Sequence, residues 1–244
     1  MSEPLHINQH PGTEPPSFEC QVIDSQVIDG DYWVQLDNSY YYPSGGGQPA
    51  DHGTISGDGV HYSIFDVRKR AEILHLLGDS VNLDLLMNQT LTAEIDHERR
   101  DILCRMHTAQ HLVSAAADEL FGASTIGNQI NTQKTRIDIG IESRESFSRD
   151  NLQSRVNKFV DSAVDVSMSF RPRVELIEDP LVRVNLDLIP KQIDELRVIT
   201  IDGIDICPCA GTHVGNTNQI GHVEITKVKS KGSGKLRVEY TLVD

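Results

Sequence analysis

Three imidazoles and one thiol stand at spacings that suit a single metal ion: His107 with His111, and Cys209 with His213. On a helix, positions four apart lie on one face, so both imidazoles of the first pair can reach one point. The second pair lies in Cys207-Pro-Cys-Ala-Gly-Thr-His213, a Pro- and Gly-bearing turn after a strand-like run, and a turn can aim a thiolate and an imidazole together. Three nitrogens and one sulfur at about 2.0–2.3 Å complete a tetrahedral zinc ion. The same residues also admit a purely structural reading, with the histidines as caps or core residues and the cysteines as small buried hydrophobes. The residue after His107 is Thr108, not Glu, which excludes the metalloprotease helix with its built-in general base.

These residues need elements to hold them. Ile102, Met106, Ala109, Val113, Ala116 and Leu120 recur at spacings of four and three, which predicts an amphipathic helix over Arg99–Phe121. A loop, Gly122–Lys134, should follow. Ile137, Ile139 and Ile141 then alternate with polar residues as a half-buried strand over Thr135–Ile141. Leu152, Val156, Phe159, Val160 and Ala163 predict a second helix over Ser148–Val164, capped by Ser148 or Asp150. Val166–Phe170, Leu196–Ile206, Gln219–Lys227 and Leu236–Val243 read as further strands. Pro180 and Pro190 interrupt any long helix over Pro172–Glu195. Strands with two packing helices indicate an α+β domain, an antiparallel sheet packed on helices, over residues 94–244. Before it, Phe18 to about Ala93 alternates short strand-like runs with Gly and Asp turns, the pattern of a small β-barrel or sandwich, so residues 1–93 form the N-terminal domain. Leu76–Asn88 fits neither pattern. Residues 1–17, with four prolines and a glycine by Pro16, read as a loose tail.

At 244 residues, 38% hydrophobic and 24% charged, the composition is that of a globular protein with a substantial core. No apolar run reaches the length of a membrane span. The start lacks the basic and apolar regions of a secretory signal, and the four cysteines are unevenly spaced; thiols or ligands in a cytoplasmic protein are expected, not a disulfide framework. A formal charge of −14 argues against phosphate binding over the whole surface, yet charge is unevenly placed. Thr226–Arg237 carries Lys227, Lys229, Lys231, Lys235 and Arg237 with no acid, and Arg99, Arg100 and Arg105 open the first helix. Such a rim is compatible with RNA, and equally with a solvated lysine-rich hairpin.

The segment Tyr40–Asp51 contains Gly45, Gly46 and Gly47 followed by Gln48. Consecutive glycines are costly in entropy and are kept where the backbone needs positive φ or another backbone approaches closely. Gln48 could read a base or a peptide edge, and the tyrosines could stack on bases. No Gly-Lys-Ser/Thr follows, so this is not a phosphate-binding loop.

Five segments occur in order: Pro43-Ser-Gly-Gly-Gly-Gln-Pro-Ala-Asp51, Asp96-His-Glu-Arg-Arg-Asp101, Met106-His-Thr-Ala-Gln-His-Leu112, Cys209-Ala-Gly-Thr-His-Val214 and Ser230-Lys-Gly-Ser-Gly-Lys-Leu-Arg237. This order resembles the editing region of alanyl-tRNA synthetase and, more closely, the free-standing trans-editing proteins called AlaX, of the class with an N-terminal glycine-rich domain. The resemblance covers nearly the whole chain after Phe18. It implies a β-barrel followed by an α+β editing domain, and zinc on His107, His111, Cys209 and His213, with Cys207 as an extra thiol. It implies hydrolysis of the ester that joins serine, or glycine, to alanine tRNA. Without an aminoacylation core the protein would edit in trans, and ATP is not expected.

The chemistry is reasonable from below. A pocket built for a methyl group rejects the hydroxylated analogue poorly, whereas a second site can select that hydroxyl by hydrogen bonding. Ser124–Thr132 should supply the donor or acceptor, with Thr125 or Asn128 as candidates. Gly45, Gly46, Gly47, Gln48, Lys229, Lys231, Lys235 and Arg237 are candidate tRNA contacts. Four protein ligands leave zinc no open position, so its expected role is to organise the pocket and orient the substrate. Two other readings share these features: a zinc-stabilised tRNA-binding module without activity, and the editing site of threonyl-tRNA synthetase. The glycine-rich segment and the Ser-Lys-Gly-Ser-Gly hairpin argue against the latter.

Overall fold

The computed structural model describes residues 2–87, 89–232 and 234–243. Met1 of the expected tail, Asn88 at the end of the ambiguous stretch and Ser233 of the lysine hairpin lie outside the described residues. Two compact units emerge: Met1–Gln9, Glu14–Gly45 and Pro49–Asp101 form one, and His10–Thr13, Gly46–Gln48 and Ile102–Asp244 the other. The expected division at residue 93 thus takes a different form. Two short N-terminal segments, the second of them glycine-rich, count with the C-terminal unit.

In the first unit, one antiparallel sheet has the order β1-β8-β4-β5 and comprises β1 (Phe18–Cys20), β8 (Leu91–Ile95), β4 (Gly53–Gly57) and β5 (Val60–Ile64). A second has the order β2-β3-β7-β6, from β2 (Val22–Ile28), β3 (Asp31–Leu36), β7 (Ile73–Gly78) and β6 (Asp66–Lys69). One apolar core serves both, with Cys20, Val34, Leu36, Ile55, Ile64, Val67, Leu77 and Leu91 among its members. The antiparallel strands expected here are found, as two separate four-stranded sheets; among the described residues they do not close into a ring. The chain changes sheet at Gln21, whose N–H donates to Asp37 Oδ1 at 2.8 Å and whose carbonyl accepts from the Asp37 N–H at 3.0 Å, in place of a continued ladder. The ambiguous stretch holds the end of β7 and a single helical turn, α1 (Leu83–Leu86), capped by Asn82.

The loose tail is corrected. Leu5–Asn8 forms a 3₁₀ turn, His6 is buried, and Glu3 pairs with Asn38 in a parallel bridge. The Glu3 N–H donates to Asp37 O at 2.8 Å and its carbonyl accepts from the Ser39 N–H at 3.0 Å. These backbone bonds need no side-chain pattern, so the sequence carries no trace of them.

The helix predicted over Arg99–Phe121 is α2 (His97–Phe121), started by Asp96, whose carboxylate accepts from the Arg99 N–H at 3.0 Å. Arg100 at its beginning pairs with the fully buried Asp51, Nε to Oδ1 at 2.9 Å, and Asp51 Oδ2 accepts from the Tyr42 N–H at 2.6 Å. The Asp96–Asp101 segment therefore fixes the end of the Tyr40–Asp51 stretch within this unit. Breaking such a buried pair from one side leaves an uncompensated charge costing about 3–5 kcal/mol.

The second unit contains β9 (Ser124–Gln129), β10 (Thr135–Gly140), β14 (His222–Ser230) and β15 (Lys235–Val243) in the antiparallel order β14-β15-β10-β9. A three-stranded sheet joins β11 (Val166–Pro172), β12 (Glu195–Ile201) and β13 (Asp205–Pro208). The second predicted helix is α3 (Arg149–Asp161), with Ser148 Oγ accepting from the Asn151 N–H at 3.2 Å. Ala163 falls beyond its end, exposed and at φ 50°. Asn157 and Gln153 of α3 satisfy the outward backbone of β14: Val223 N–H to Asn157 Oδ1, Asn157 Nδ2 to Val223 O and Ile225 N–H to Gln153 Oε1, all at 2.8 Å. That blunts an edge strand.

Three sequence expectations change. The loop after α2 contains an edge strand, β9, exposed on both faces and so without alternation. Leu196–Ile206 is a hairpin, because Gly203 at φ 67° turns the chain between β12 and β13. Gln219 sits in a 3₁₀ turn, Thr217–Ile220, closed by a capping box with Asn216. Within the uncertain stretch, α4 (Arg173–Ile177) forms a short helix after Pro172. No helix among the described residues is long and apolar enough to cross a membrane.

His75 gives the first unit an acid-sensitive point. It is fully buried, its Nδ1–H facing Val34 O at 3.3 Å and its Nε2 facing Ser39 Oγ at 2.8 Å, the bonding of a neutral ring. Burial pushes its pKa from 6.5 down to about 4, against the pull of the Val34 carbonyl. Below pH 6.5 the unfolded chain gains a proton that the folded chain refuses until about pH 4, so this contribution is complete above 6.5 and lost as pH falls. Urea unfolding at pH 7.5 and 4.5 should show a stability loss about 2–3 kcal/mol larger for the wild type than for His75→Gln. Equal losses would show that His75 does not contribute.

Candidate metal centre

From Met106 to Ala117 helix α2 is buried on nearly every side, with only Ser114 half-exposed. The Tyr240 hydroxyl of β15 donates to Met106 O at 2.6 Å and fixes this stretch. His107, Gln110, His111 and Ser114 fall at spacings of three and four, so the polar residues of an otherwise apolar segment share one face. Opposite them, the turn after β13 is held by buried Arg197 of β12. Its Nη1 donates to Cys209 O at 2.6 Å and Gly211 O at 3.1 Å, while the Cys209 N–H donates to Arg197 O at 3.0 Å. His213 O accepts from the Gly12 N–H at 2.9 Å, a contact that uses the N-terminal segment.

This brings His107, His111, Cys209 and His213 together, with one ligand atom from each within 4.8 Å of all the others. Cys209 Sγ lies 3.5 Å from His107 Nε2 and 3.4 Å from His213 Nε2. A tetrahedral ion with sulfur at about 2.3 Å and nitrogen at about 2.0–2.1 Å has sulfur–nitrogen edges of about 3.5 Å. The donor set fits such an ion.

The outer nitrogens confirm the orientation of the rings. His107 Nδ1 lies 2.7 Å from Gln48 Oε1, His111 Nδ1 2.8 Å from Asp205 Oδ2 and His213 Nδ1 3.2 Å from Thr108 Oγ1. Thr108 spends its proton on Cys104 O at 2.8 Å, so it can only accept from His213. All three rings therefore carry hydrogen on Nδ1 and turn Nε2 inward, the atom through which a metal would be held.

Charge follows. Burial alone would raise the Cys209 thiol, but the charge of His107 and hydrogen bonds from His107, His111 and His213 carry it well below its ordinary value. His111 is pushed up to about 10: burial opposes this, and the bonds to Asp205 and Cys209 outweigh it. His213 falls to about 3, from burial and then the neighbouring His107 charge. Cys207 goes the other way. Burial and then the charges of Asp205 and Cys209 raise its thiol, whose Sγ faces Pro208 O at 3.6 Å. The two sulfurs are thus driven in opposite directions, Cys209 toward the thiolate and Cys207 toward the thiol.

The glycines have steric reasons. A Cβ on Gly211 would overlap the His107 ring and lie 2.9 Å from Gln48 Oε1. Gly47, at φ 89°, faces Asn128 so closely that a Cβ would overlap the Asn128 Oδ1, and its carbonyl accepts from the Ile130 N–H at 2.7 Å. Gly46 also takes positive φ, 57°, and Gly45 is exposed. Gln48 is 2% exposed, with Oε1 also accepting from the Thr212 N–H at 3.1 Å and Nε2 donating to Thr212 Oγ1 at 2.9 Å. Both ends of the Gln48 amide are thus engaged inside the protein, against His107 and Thr212.

Thr125 and Asn128 stand on β9. Thr125 Oγ1 bonds Ser114 Oγ at 2.8 Å, Gln110 Nε2 donates to Ser114 Oγ at 2.9 Å, and Asn128 Nδ2 reaches Gln110 Oε1 at 3.4 Å. A polar chain thus runs from both candidates to the histidine face of α2. Sequence reasoning missed Gln110, Ser114 and Asp205; the first two were legible as polar residues in step with the histidines. Lys229, Lys231 and Lys235 are exposed at the β14–β15 hairpin, where Lys227, by hydrogen bond and charge, lowers Lys229 from its usual value. Arg237 is different: half-buried, it makes two hydrogen bonds to Asp138, at 2.6 and 2.7 Å.

Comparison with known proteins gives concordant findings. A family model described as the threonyl and alanyl tRNA synthetase second additional domain matches residues 196–239, and one for class II (A) tRNA synthetases matches residues 18–99. The alanyl-tRNA editing protein AlaX-M of Saccharolobus solfataricus is 34% identical over 99% of this chain and 99% of its own. AlaX-M of Methanosarcina barkeri is 33% identical over 93% of this chain and 94% of its own. The alanine–tRNA ligase of Methanobrevibacter smithii is 33% identical over 92% of this chain, but over only 25% of its own length.

Gly211→Ala tests the centre directly. The added methyl should displace His107, so the purified variant should lose most of its bound metal by elemental analysis while its far-ultraviolet dichroism stays unchanged. Full metal content in Gly211→Ala would show that the cluster is assembled differently.

Proposed function

This chain belongs to the AlaX-M family of alanyl-tRNA editing proteins, and from that premise we propose that it is a trans-editing hydrolase which deacylates alanine tRNA mischarged with serine, and glycine as a second substrate. The observation that carries this reading is the four-ligand cluster with a chain of hydroxyl and amide groups beside it. Zinc is the ion that three imidazoles and a thiolate suit best, and when bound it supplies a fixed positive charge that organises the pocket and orients the aminoacyl end.

The residues of the chain do the rest. His107, His111, Cys209 and His213 fill a tetrahedral ion's coordination, which leaves the attacking water to pocket backbone groups and the vicinal ribose hydroxyl. Selection falls to the chain Thr125–Ser114–Gln110–Asn128. Of the two hydroxyls that meet at 2.8 Å, one donates to the other, so one proton of the pair stays available to a third oxygen. A seryl hydroxyl can take that bond, whereas an alanyl methyl leaves polar groups desolvated and unpaired, at about 1–3 kcal/mol. The lysines of the β14–β15 hairpin and the exposed Gly45 offer contacts for the tRNA body, and the reaction takes place in the cytoplasm without ATP.

Incubation of the protein with Ser-, Gly- and Ala-charged alanine tRNA tests this. Release of serine with alanine retained is expected; binding without release would identify a tRNA-binding module, and, with Ser-charged threonine tRNA added to the panel, release of serine from that tRNA alone would identify the other synthetase editing site. Thr125→Val keeps the shape but removes a hydroxyl, and should lower kcat/KM for the seryl substrate about 10–100-fold, with a smaller change for the glycyl substrate. A uniform loss on both would remove Thr125 from recognition.

A further inference from the structure

His111 differs from the other two histidines of the cluster, because its outer nitrogen faces a carboxylate. Asp205 Oδ2 lies 2.8 Å from His111 Nδ1, and Asp205 is 5% exposed. Its other oxygen, Oδ1, accepts from Arg183 Nη1 at 2.7 Å. The same guanidinium donates through Nε to Asp118 Oδ2 at 2.9 Å and through Nη1 to Ile204 O at 2.9 Å. Asp118 lies seven residues beyond His111 on α2, on the same side of the helix. One arginine from the stretch between α4 and β12 thus holds both the helix bearing His111 and the strand start bearing Asp205.

We propose that Asp205 is a positioning residue of the metal centre, with Arg183 as the group that fixes it. Asp205 locks His111 in the form with hydrogen on Nδ1, aims Nε2 at the ion and raises the donor strength of the ring. Arg183 holds the carboxylate in register and makes its burial tolerable, since an unpaired buried carboxylate is expensive. Outer partners of this kind are worth about 10–100-fold in metal affinity. The proposal rests on the metal-dependent reading of the site, but not on its substrate.

The geometry has one competitor. His111, Asp205 and Cys207 also lie within 4.8 Å of one another, which is the outline of a second cation site. Two observations weigh against it: both oxygens of Asp205 are already engaged, and the guanidinium 2.7 Å from Oδ1 would repel a cation placed on the same carboxylate.

The test uses zinc-loaded protein titrated with a competing chelator, and cobalt-substituted protein whose thiolate charge-transfer and ligand-field bands report on the ligand geometry. The wild type should hold one ion. Asp205→Ala should bind zinc about 10–100-fold more weakly, Asp205→Asn should lie between the two because it keeps an acceptor oxygen, and Arg183→Met should weaken binding. Cobalt bands should shift in Asp205→Asn even where its thermal midpoint equals that of the wild type, a change that a merely structural role does not produce. Unchanged zinc affinity in Asp205→Ala, or two ions in the wild type with one lost in the variant, overturns the proposal. Should Asp205→Ala not fold, unchanged affinity in both Asp205→Asn and Arg183→Met overturns it equally. Deacylation is measured separately at saturating zinc: a wild type that shows these affinity differences but releases no serine refutes editing and leaves the role of Asp205 intact.

Discussion

A buried imidazole has two nitrogens, and aiming one of them at a shared point obliges the protein to satisfy the other. Three histidines converge here, so three acceptors must be brought in, and an unpaired buried group would cost about 1–3 kcal/mol each. The chain finds them in three places: an amide on the glycine-rich segment, a hydroxyl on α2 itself and a carboxylate at the start of β13. Much of the second unit's irregular structure follows from this requirement. Gly47 and Gly211 lack side chains because the backbone before Gln48 and the Cys209 turn must approach Asn128 and His107 closely. Gly12 meets Gly215 backbone to backbone, where a Cβ would stand 2.7 Å from the Gly215 Cα, and thereby supports the carbonyl of His213.

The same requirement explains why α2 tolerates so many polar residues in its buried centre. His107, Thr108, Gln110 and His111 are all at most 6% exposed, and each has a defined partner. Thr108 is instructive. It accepts from both His213 Nδ1 and the Val214 N–H while donating to its own helix, so one hydroxyl links the helix to the far half of the centre. A fully satisfied polar network of this kind specifies one arrangement of the core, whereas one missing member would make it a liability.

Local patterns in the sequence reveal the parts of this that are local. The stripe of α2, the Ser148 cap of α3 and the paired spacings of the four ligands are each contained within a turn or two of chain, and periodicity or ligand chemistry exposes them. The acceptors are not local: Gln48 is separated from His107 by 59 residues and Asp205 from His111 by 94. No pattern within a window of sequence joins them. Strand β9 was hidden for another reason, since an edge strand exposed on both faces has no alternation to read. The N-terminal unit shows the limit for sheets. Strand periodicity indicates which residues face the core, as Leu91, Ala93 and Ile95 do, but closure into a barrel depends on which edges pair. The ordered tail depends on backbone bonds alone.

The sheet of the second unit relates the proposed tRNA contacts to the proposed recognition strand. Its order, β14-β15-β10-β9, places the lysine-bearing hairpin at one edge and Thr125 and Asn128 at the other. Lys229 is opposite Arg237, Arg237 opposite Asp138, and Asp138 opposite Gly127, a single cross-strand row. Four strands at about 4.8 Å spacing span about 14 Å, so cationic edge and recognition edge are separated by no more than a few nucleotides of an extended strand. Within that row Arg237 is half-buried and doubly bonded to Asp138, which makes it a brace between β15 and β10. The exposed lysines beside it carry the unspent charge. A protein of net charge −14 can thus present a short cationic rim to RNA while the arginine of the same row holds the sheet in register.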